Sequence, residues 1–260
     1  FEIENITHVD HTIDPVRDKE TIDIELQLKD LETVESRIAK VEKQAKTGGD
    51  PEAKRMLKIL LMYREALNEG KSARTVEIDE IDQKLAKDFQ LLTNKPILYV
   101  CNVDEASVLT GNKYVDAVKE AIKDENAEML MIAAATEADI AELESYDERQ
   151  MFLEDLGLDE SGVNKLIKSA YRQLQLETYF TVGVKEVRAW TYKRGFKAPQ
   201  AAGVIHTDFE KGFIRAEVIK YADFISLGSE QACKEAGKMG VEGKEYVVQD
   251  GDIMHFRFNV

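Results

Sequence analysis

Apolar positions along the chain follow two spacings, and each spacing predicts a different kind of structure. Between residues 22 and 70 they recur every three or four positions, which is typical of helices that pack along one stripe. The first stripe holds Leu31, Val34, Ile38, Val41 and Ala45, and the second holds Ala53, Leu57, Leu60 and Leu67. Gly48 and Gly49 separate the stripes, while Asp50 and Pro51 suit the start of the second helix. The pattern predicts an antiparallel coiled-coil hairpin over residues 28–70.

Two short apolar runs have the length and composition of buried strands. They are ILYVC at 97–101 and AEMLMIA at 127–133, and an amphipathic helical pattern at 113–123 lies between them. Strand, helix and strand at this spacing predict a βαβ unit, which has parallel strands and a right-handed crossover. The pattern EIDEIDQKLAKDFQLL at 77–92 predicts a further helix before this unit.

From Thr178 onward the apolar positions alternate in short runs. The runs TYFTVGV, EVRAWTY and FIRAEVIKY, and two more within EYVVQDGDIMHFRFNV, predict four or five strands. One main helix is predicted over YADFISLGSEQACKEAGK. Short strands with a single main helix favour a small α+β domain. We therefore place a domain boundary near residue 177.

Charge is distributed unevenly over these regions. The chain has a net charge of −15, from 35 basic and 50 acidic residues, which by itself argues against nucleic-acid binding. From Thr178 onward, however, 12 basic residues accompany 11 acidic ones, so this segment carries +1 and the first 177 residues carry −16. The C-terminal segment is therefore electrostatically distinct from the rest.

Composition also limits location and chemistry. No run of about 18 apolar residues occurs, so no membrane span is expected, and the first 20 residues lack the pattern of a signal peptide. Two cysteines are too few for a disulfide framework, and the four histidines do not cluster with them at metal-ligand spacing. We expect a cytoplasmic protein without a metal site in this chain.

Polar residues directly follow the first predicted strand. Its end reads Asn102-Val103-Asp104-Glu105, and ligands of open parallel sheets bind just beyond the carboxyl ends of the strands. An Asn-x-x-Glu spacing is common, however. An ordinary strand-end turn with solvated acids is the simpler explanation of these four residues taken alone.

Two basic clusters are candidates for contact with RNA or with an acidic partner. One flanks the predicted helical turn and comprises Lys40, Lys43, Lys46, Lys54, Arg55 and Lys58; the other comprises Lys185, Arg188, Lys193, Arg194 and Lys197. The first is either a solvated helix face or an arm that touches phosphate or an acidic partner. Trp190, Tyr192 and Phe196 interleave the second, which suits phosphate contact and base stacking. The alternative, which we favour for Trp190, places the aromatic residues in the core of the small domain.

Several sequence blocks resemble the YchF family, the Obg-like ATPases among the P-loop NTPases. The blocks are NKPILYVCNVDE at 94–105, ATEADIAEL at 135–143, and the stretches 178–219 and 235–260. The resemblance spans essentially the whole chain and implies an α/β protein of three parts. These are part of a P-loop NTPase domain with a parallel sheet (1–27 and 71–177), the inserted coiled-coil hairpin (28–70), and a C-terminal α+β TGS domain of β-grasp, ubiquitin-like shape (178–260).

The resemblance gives the end of the first strand a role in reading the nucleotide base. GTPases of this class use an Asn-Lys-x-Asp motif there, and its Asp accepts two hydrogen bonds from guanine. Here Asn102 is kept, Val103 replaces the Lys and Glu105 replaces the Asp. Family resemblance associates this version with ATP, and a GTP-preferring member is the alternative. Ala134 and Ala135 match the loop whose backbone supports the base.

The phosphate half of such a site is missing from this sequence. A P-loop reads G-x-x-x-x-G-K-[ST], and none of the three Gly-Lys pairs, at 70–71, 237–238 and 243–244, has a glycine five residues earlier. We expect the P-loop, the switch segments and the Mg²⁺ ligands upstream of Phe1. The chain is then either a true fragment or part of an intact protein whose N-terminal residues are left out of this sequence. On this expectation no residue here is catalytic, and the chain alone does not hydrolyse ATP. Its shortened parallel sheet is then expected to be unstable alone.

Two hypotheses for the function follow from the resemblance and from the basic clusters. The first is a monomeric ATP-binding and ATP-hydrolysing P-loop NTPase, with Mg²⁺ as cofactor, that associates with the ribosome through its large subunit. The second is a non-catalytic module that binds RNA or the ribosome through the hairpin tip and the TGS domain. Nucleotide state drives binding in the first hypothesis, and charge alone drives it in the second.

Overall fold

The computed structural model describes residues 12–47, 50–183 and 186–259. The chain divides into two compact units, Phe1–Leu166 and Ile167–Val260. The first unit contains a two-stranded parallel sheet, and the second contains a five-stranded mixed sheet. These sheets and the helices around them confirm the predicted α/β class, whereas the division into three parts stays a prediction.

Helices predominate in the first unit. Its described helices are α1 (Pro15–Thr47), α2 (Pro51–Asn68), α3 (Gln83–Asp88), α4 (Lys113–Ala121), α5 (Ala134–Glu142) and α6 (Tyr146–Asp155), and its strands are β1 (Leu98–Asn102) and β2 (Glu128–Ile132). Helix α7 (Gly162–Gln173) runs across the boundary between the units. The helix predicted over 77–92 was too long, because only α3 is helical there. Gln90, just past its end, adopts a positive φ of 54°, a conformation that terminates helices.

Helices α1 and α2 pack against each other along the apolar stripes. Val34 and Ile38 of α1 and Leu60 and Leu67 of α2 are buried, and Tyr63 of α2 completes the contact. The start of α2 is fixed locally, since Asp50 accepts a hydrogen bond from the Glu52 N–H at 2.9 Å. Burial of this stripe, rather than helix propensity alone, stabilises the pair.

A buried carboxylate joins α1 to the segment that precedes β1. Asp30 is only 2% exposed, and its two oxygens accept hydrogen bonds from the backbone N–H groups of Leu92 and Thr93 and from the Thr93 hydroxyl, each at 2.7 Å. Phe89 and Leu91, from the same segment, enter the core of the helical pair. The helical pair is therefore joined by both polar and apolar contacts to the segment that leads into the parallel sheet.

The predicted βαβ unit is present. Strands β1 and β2 pair in parallel, with Asn102 opposite Ile132. Asn112 caps the intervening helix α4 by accepting hydrogen bonds from the N–H groups of Tyr114 and Val115, at 3.0 and 3.1 Å. Both strands consequently end at the same edge of the sheet, where the residues after Asn102 meet the start of α5.

The second unit is built on a sheet with the strand order β4-β3-β7-β5-β6. The strands are β3 (Leu176–Val182), β4 (Val187–Lys193), β5 (Phe213–Ile219), β6 (Met239–Glu242) and β7 (Ile253–Phe258), and the helices are α8 (Ala198–Ile205), α9 (Thr207–Lys211), α10 (Tyr221–Leu227) and α11 (Glu230–Glu235). Strand β7 is parallel to β3 and antiparallel to β5. The remaining pairings are antiparallel.

Apolar clusters form on both faces of this sheet. On the first face, the α8 face, Tyr179, Tyr192 and Phe256 pack against the alanines of α8. On the opposite face, the α10 face, Ile219 and Ile253 pack with buried and partly buried residues of neighbouring elements, which are Cys233, Phe180, Val182, Phe224 and Met239. The period-two alternation of the strands produces both clusters, because successive side chains point to opposite faces.

Three sequence predictions for this unit were wrong in detail. One main helix was predicted, but the described residues after Gln175 form four helices, and the predicted one is divided at Gly228, whose φ of 78° ends α10. Strand β6 was not predicted. The run before Asp250 was predicted as a strand, yet there Val247 forms only an isolated bridge with Lys197.

None of the helices in the described part of the chain combines the length and the apolar character needed to cross a membrane.

Candidate nucleotide-binding site

The candidate site lies where β1 and β2 end side by side. The side-chain oxygen of Asn102, the last residue of β1, accepts a hydrogen bond from the backbone N–H of Ala134 at 3.1 Å. Ala134 is the first residue of α5, which follows β2. Directly after Asn102, the N–H of Val103 donates to the Ile132 carbonyl at 2.9 Å. The structure therefore brings together two segments that are 32 residues apart and that the sequence assigned to one base site.

The remaining residues of the NVDE motif have different environments. Val103 is 4% exposed, so its side chain packs inside the unit. Asp104 begins a short 3₁₀ turn, Glu105–Ser107, and accepts a hydrogen bond from the Ser107 N–H at 2.9 Å. Hydrogen bonding from the Ser107 side chain, together with this backbone bond, lowers the pKa of the exposed Asp104 carboxyl. Glu105 is exposed, and within the described part of the chain its carboxylate has no polar partner.

The start of α5 forms the other wall of the site. Ala134 and Ala135 are both exposed, and Ala133 itself provides no side-chain cap. The Ala134 N–H is already bound to Asn102, so the N–H groups that follow it in the first turn of α5 are the ones left for another acceptor. The next residue, Thr136, is 2% exposed, and its hydroxyl has no hydrogen-bond partner among the described residues.

A carboxylate on α5 fixes the position of this helix. Glu137 accepts hydrogen bonds from the N–H groups of Gly162 and Val163 at the start of α7, at 2.6 and 3.1 Å. Gly162 permits this approach, because a Cβ atom there would lie 2.9 Å from both Glu137 Oε1 and Ile132 Cγ2. The sequence analysis missed this contact. A glycine directly after Ser161, a residue that can cap a helix, is the local signal that could have indicated it.

An apolar cavity of about 450 Å³ adjoins the site. Helix α1 contributes Ile22 and Leu26 to its lining, β1 contributes Val100, and α4 contributes Val115. Asn102 and Val103 reach its edge. The cavity is therefore continuous with the end of β1.

A charged cluster beside the cavity holds the first turns of α1 against the sheet. Lys19 forms ion pairs with Asp23 and Glu125, both at 2.7 Å, and Glu125 also accepts a hydrogen bond from the Tyr99 hydroxyl at 2.8 Å. Burial, together with the hydrogen bond to Glu125, raises the pKa of Tyr99 to about 12. Burial disfavours the charged form of Lys19, but its two ion pairs outweigh that effect and raise its pKa. Tyr99 lies on β1, three residues before Asn102, so this cluster helps to position the candidate site.

The basic residues near the predicted helical turn do not form one uniform surface. Lys46 pairs with Glu42 on its own helix, and Arg55 of α2 binds the Asp82 carboxylate. Lys43 and Lys54 are exposed. Lys54 and Lys58, with no ion partner in the described part of the chain, lie beside Leu57 in a shallow groove between α1 and α2.

The second basic cluster is also divided. Arg188 lies over the ring of Trp190 at 4.0 Å, and Trp190 is only partly buried. Arg194 pairs with Glu177 and Lys197 pairs with Glu245, whereas Lys193 is exposed on the sheet edge. Lys185 lies outside the described residues. The preference for Trp190 as a core residue holds in part, since it packs against the cluster on the α8 face and donates to the Thr181 hydroxyl at 2.9 Å.

Metal ligands are not assembled in the described part of the chain. No group of three or more His, Cys, Asp or Glu side chains lies there in a position to hold an ion. Cys101 is partly buried and Cys233 is buried, and burial raises the pKa of the Cys101 thiol. The described residues therefore do not fit a Mg²⁺ site.

Comparison with known proteins extends this description. Residues 176–259 match a family model named YchF-GTPase_C and described as "Protein of unknown function (DUF933)". The chain is 54% identical to a "Ribosome-binding ATPase YchF" from Bacillus subtilis (strain 168), across 100% of this chain and 71% of that protein. It is 44% identical to "Obg-like ATPase 1" from Rattus norvegicus, across 100% of this chain and 66% of that protein.

A solved structure also matches the fold. It is the Schizosaccharomyces pombe YchF GTPase, with a TM-score of 0.85 and 34% sequence identity, and the match covers 98% of this chain and 69% of that one. Identity at this level over nearly the whole chain is far more than a shared fold would require. The chain therefore belongs to the YchF family of Obg-like ATPases.

Proposed function

We propose that this chain carries the base-recognition site of a ribosome-associated P-loop NTPase that binds and hydrolyses ATP. The observation that carries the proposal is the hydrogen bond between Asn102 and the Ala134 N–H, which joins the ends of two parallel strands. Strand ends of this kind are where open α/β sheets bind ligands. The names of the relatives, which include ribosome-binding ATPases and Obg-like ATPases, support the same activity and a cytoplasmic location beside ribosomes.

Glu105 is the proposed reader of the adenine base. It is exposed at the strand end and has no polar partner among the described residues, so its carboxylate can accept a hydrogen bond from the exocyclic amino group of adenine. Guanine carries a carbonyl acceptor at that position, and two acceptors facing each other leave a buried group unpaired, which costs about 1–3 kcal/mol. Val103 then acts by filling the interior beneath the motif. The backbone at Ala134 and Ala135 borders the base.

Phosphate chemistry is assigned to residues outside this sequence. The chain contains no P-loop motif, and its described residues offer no Mg²⁺ site. In the proposal, residues 1–27 and 71–177 belong to the nucleotide-binding domain, 28–70 form an inserted coiled-coil hairpin and 178–260 form a TGS domain. The proposed protein is a monomer whose P-loop, switch segments and Mg²⁺ ligands precede Phe1.

The second candidate is a ribosome-binding module that acts without catalysis. Two exposed lysines of α2, Lys54 and Lys58, favour it. They have no ion partner among the residues that the structure describes, so they leave positive charge at the end of the helical pair near Ala45. In the first candidate, ribosome binding changes with the nucleotide present. In the second, binding depends on charge and salt alone.

The test is equilibrium binding of ATP and of GTP to the chain and to two variants. We expect the unmodified chain to prefer ATP, and Glu105→Ala to lose about tenfold in ATP affinity, which corresponds to one hydrogen bond to a charged group. Asp104→Ala is the matched control, because it removes the neighbouring exposed carboxylate, which is bound to the Ser107 N–H. Tighter binding of GTP than of ATP, or an equal loss in both variants, would contradict the assignment of Glu105.

A further inference from the structure

Strand β4 forms one edge of the five-stranded sheet in the second unit. Within the described part of the chain, it pairs with β3 on one side and with no strand on the other. Its seven residues contain neither Pro nor Gly, and no bulge interrupts the pairing with β3. The opposite edge, β6, has only four residues and contains Gly240. A long and regular edge accepts an added strand most readily, so β4 is the edge of this sheet that suits strand addition.

The outer side of β4 presents backbone groups that β3 does not use. Before β4 begins, the Gly183 N–H donates to the Glu186 carbonyl at 2.9 Å. Past its end, the Arg194 N–H donates to the Gln175 carbonyl at 2.8 Å. Bonded and unbonded pairs alternate in an antiparallel ladder, so the even-numbered residues of β4 bond to β3. The residues whose backbone groups point outward are all exposed, and they are Val187, Ala189, Thr191 and Lys193.

Positive charge lies towards both ends of this edge. The stretch 187–197, which is β4 with the turn after it, carries four basic residues and no acidic one. Arg194 and Lys197 are held in ion pairs. Arg188, near the start of β4, and Lys193, at its end, have no ion partner in the part of the chain that the structure describes. An acidic partner is therefore favoured over a second copy of this chain, whose β4 would bring like charges together.

Aromatic surface lies between these cations on the α8 face. Trp190 of β4 and Phe196 of the following turn pack against the buried cluster but remain partly exposed. Arg188 lies over the Trp190 ring at 4.0 Å. An added strand directs alternate side chains to each face of the sheet, so those on the α8 face would contact the aromatic surface. The edge thus predicts a partner segment with an apolar centre and acidic flanks.

We propose that the outer side of β4, the β4 edge, binds an extended acidic segment of a partner protein, which adds a strand to the sheet. Backbone hydrogen bonds supply affinity, while Trp190, Arg188 and Lys193 select the apolar centre and the acidic flanks. Phosphate groups of RNA supply acceptors alone and would leave the outward carbonyls of β4 unpaired, so this edge fits a peptide better. The inference goes beyond the nucleotide site, which lies in the other unit and is not needed for this contact.

The test is the binding of a synthetic peptide to the full chain, followed by the fluorescence of Trp190, the single tryptophan of the sequence. The peptide has Val and Ile residues in its centre and pairs of Asp residues at both ends, about eight residues in all, which is enough to span β4. A second peptide carries the same side chains with N-methyl groups on its central backbone nitrogens. We expect it to bind about tenfold more weakly, because it lacks the donors for the β4 carbonyls. Equal binding of the two peptides would overturn the proposal.

Two pairs of variants locate the contact. Ala189→Pro removes an outward N–H that β3 does not use, which edge strands tolerate, whereas Ala189→Ser keeps that N–H. We expect peptide binding to weaken about tenfold in Ala189→Pro alone, and the midpoint of thermal unfolding checks that this variant is folded. Arg188→Glu should also weaken binding about tenfold. The matched reversal Lys244→Glu, at an exposed position after β6, should leave binding unchanged.

Three results from these variants would refute the inference. An equal loss in Arg188→Glu and Lys244→Glu would make the effect one of net charge. Unchanged peptide binding in a folded Ala189→Pro variant would place the peptide elsewhere. Tighter binding of oligouridylate than of the peptide, unaffected by Ala189→Pro, would assign the cations to a phosphate partner. If Ala189→Pro does not fold, the N-methylated peptide still decides, because it is measured on the unmodified chain.

Discussion

The two units of the chain hold their sheets in place by different means. The five-stranded sheet of the second unit has an apolar cluster on each face. The two-stranded sheet of the first unit borders a cavity of about 450 Å³, and Val100 at its centre is 45% exposed. Three carboxylates, Asp30, Glu125 and Glu137, instead connect the surrounding segments to one another. Apolar burial therefore dominates the second unit, and a few polar anchors carry much of the order in the first.

The largest loss of stability is expected from a substitution in the apolar core of the second unit. Tyr179 is fully buried on the α8 face, contacts the rings of Tyr192 and Phe256, and donates to the Ala201 carbonyl at 2.9 Å. Tyr179→Ala should lower the free energy of unfolding by about 4 kcal/mol, through lost burial and the cavity that remains. Hydrogen exchange should accelerate in strands β3 to β7. The exposed position Val241 provides the control, because Val241→Ala should change stability by less than about 0.5 kcal/mol.

Exchange in α1 and α2 is the measurement that sharpens the comparison. If the cores of the two units are independent, Tyr179→Ala leaves the protection of both helices unchanged. Faster exchange in α1 as well would show that the two units share one cooperative core, contrary to the comparison drawn above.

The next largest loss of stability is expected in the first unit, when a polar anchor is removed. Asp30→Ala removes an acceptor that serves three donors, and it leaves the N–H and hydroxyl groups of the buried Thr93 and the N–H of Leu92 without this partner. We expect a loss of about 3 kcal/mol in the free energy of unfolding, measured by urea denaturation. Asp30→Asn should lose less, because one carbonyl oxygen still accepts. Glu35→Ala, at an exposed position of the same helix, is the control for charge and should be nearly neutral.

The sequence predicted these two units unequally well. The helical stripes and the βαβ unit could be predicted from the spacing and length of the apolar runs. Val34, Ile38, Leu60 and Leu67, for example, recur at helical spacing and are buried. Asp30 could not be identified in the same way. It lies on a helix among other acidic residues, and its partners at Leu92 and Thr93 are about sixty positions away along the chain. Contacts between distant polar groups leave no periodic signal.

In the second unit, helices α8 and α9 were not predicted, and the local sequence explains why. Helix α8 contains Pro199 and Gly203, which usually mark turns, but here Pro199 lies in the first turn of the helix, where its missing N–H costs nothing. Gly203 allows Glu210 of α9 to approach, since a Cβ atom there would lie 2.5 Å from the Glu210 carboxylate.

At the candidate site, the sequence placed Asn102 and Ala134 in one site through resemblance. The side-chain bond between them is a geometric result that spacing alone does not give.

The smallest of the three effects should come from the cluster at the start of α1, and it depends on pH. Burial alone would raise the pKa of Glu125, but hydrogen bonds from Lys19 and Tyr99 outweigh burial and lower it below its ordinary value of 4.5. A carboxylate with a lowered pKa stabilises the folded state above its unfolded-state pKa, and this contribution is lost as the pH falls through the folded-state value. Glu125→Gln should therefore cost about 1 kcal/mol at pH 7 and progressively less below pH 4.5.

Urea denaturation of the unmodified chain and the variant between pH 3 and pH 8 measures this difference. Asp124→Asn, at the exposed carboxylate next to Glu125 in the sequence, is the matched comparison for the loss of one charge. If the first unit depends on polar anchors, only the Glu125→Gln variant should approach the unmodified chain in free energy of unfolding as the pH falls. If the difference in free energy of unfolding stays constant with pH, Glu125 contributes through packing. The first unit would then depend on packing, as the second unit does.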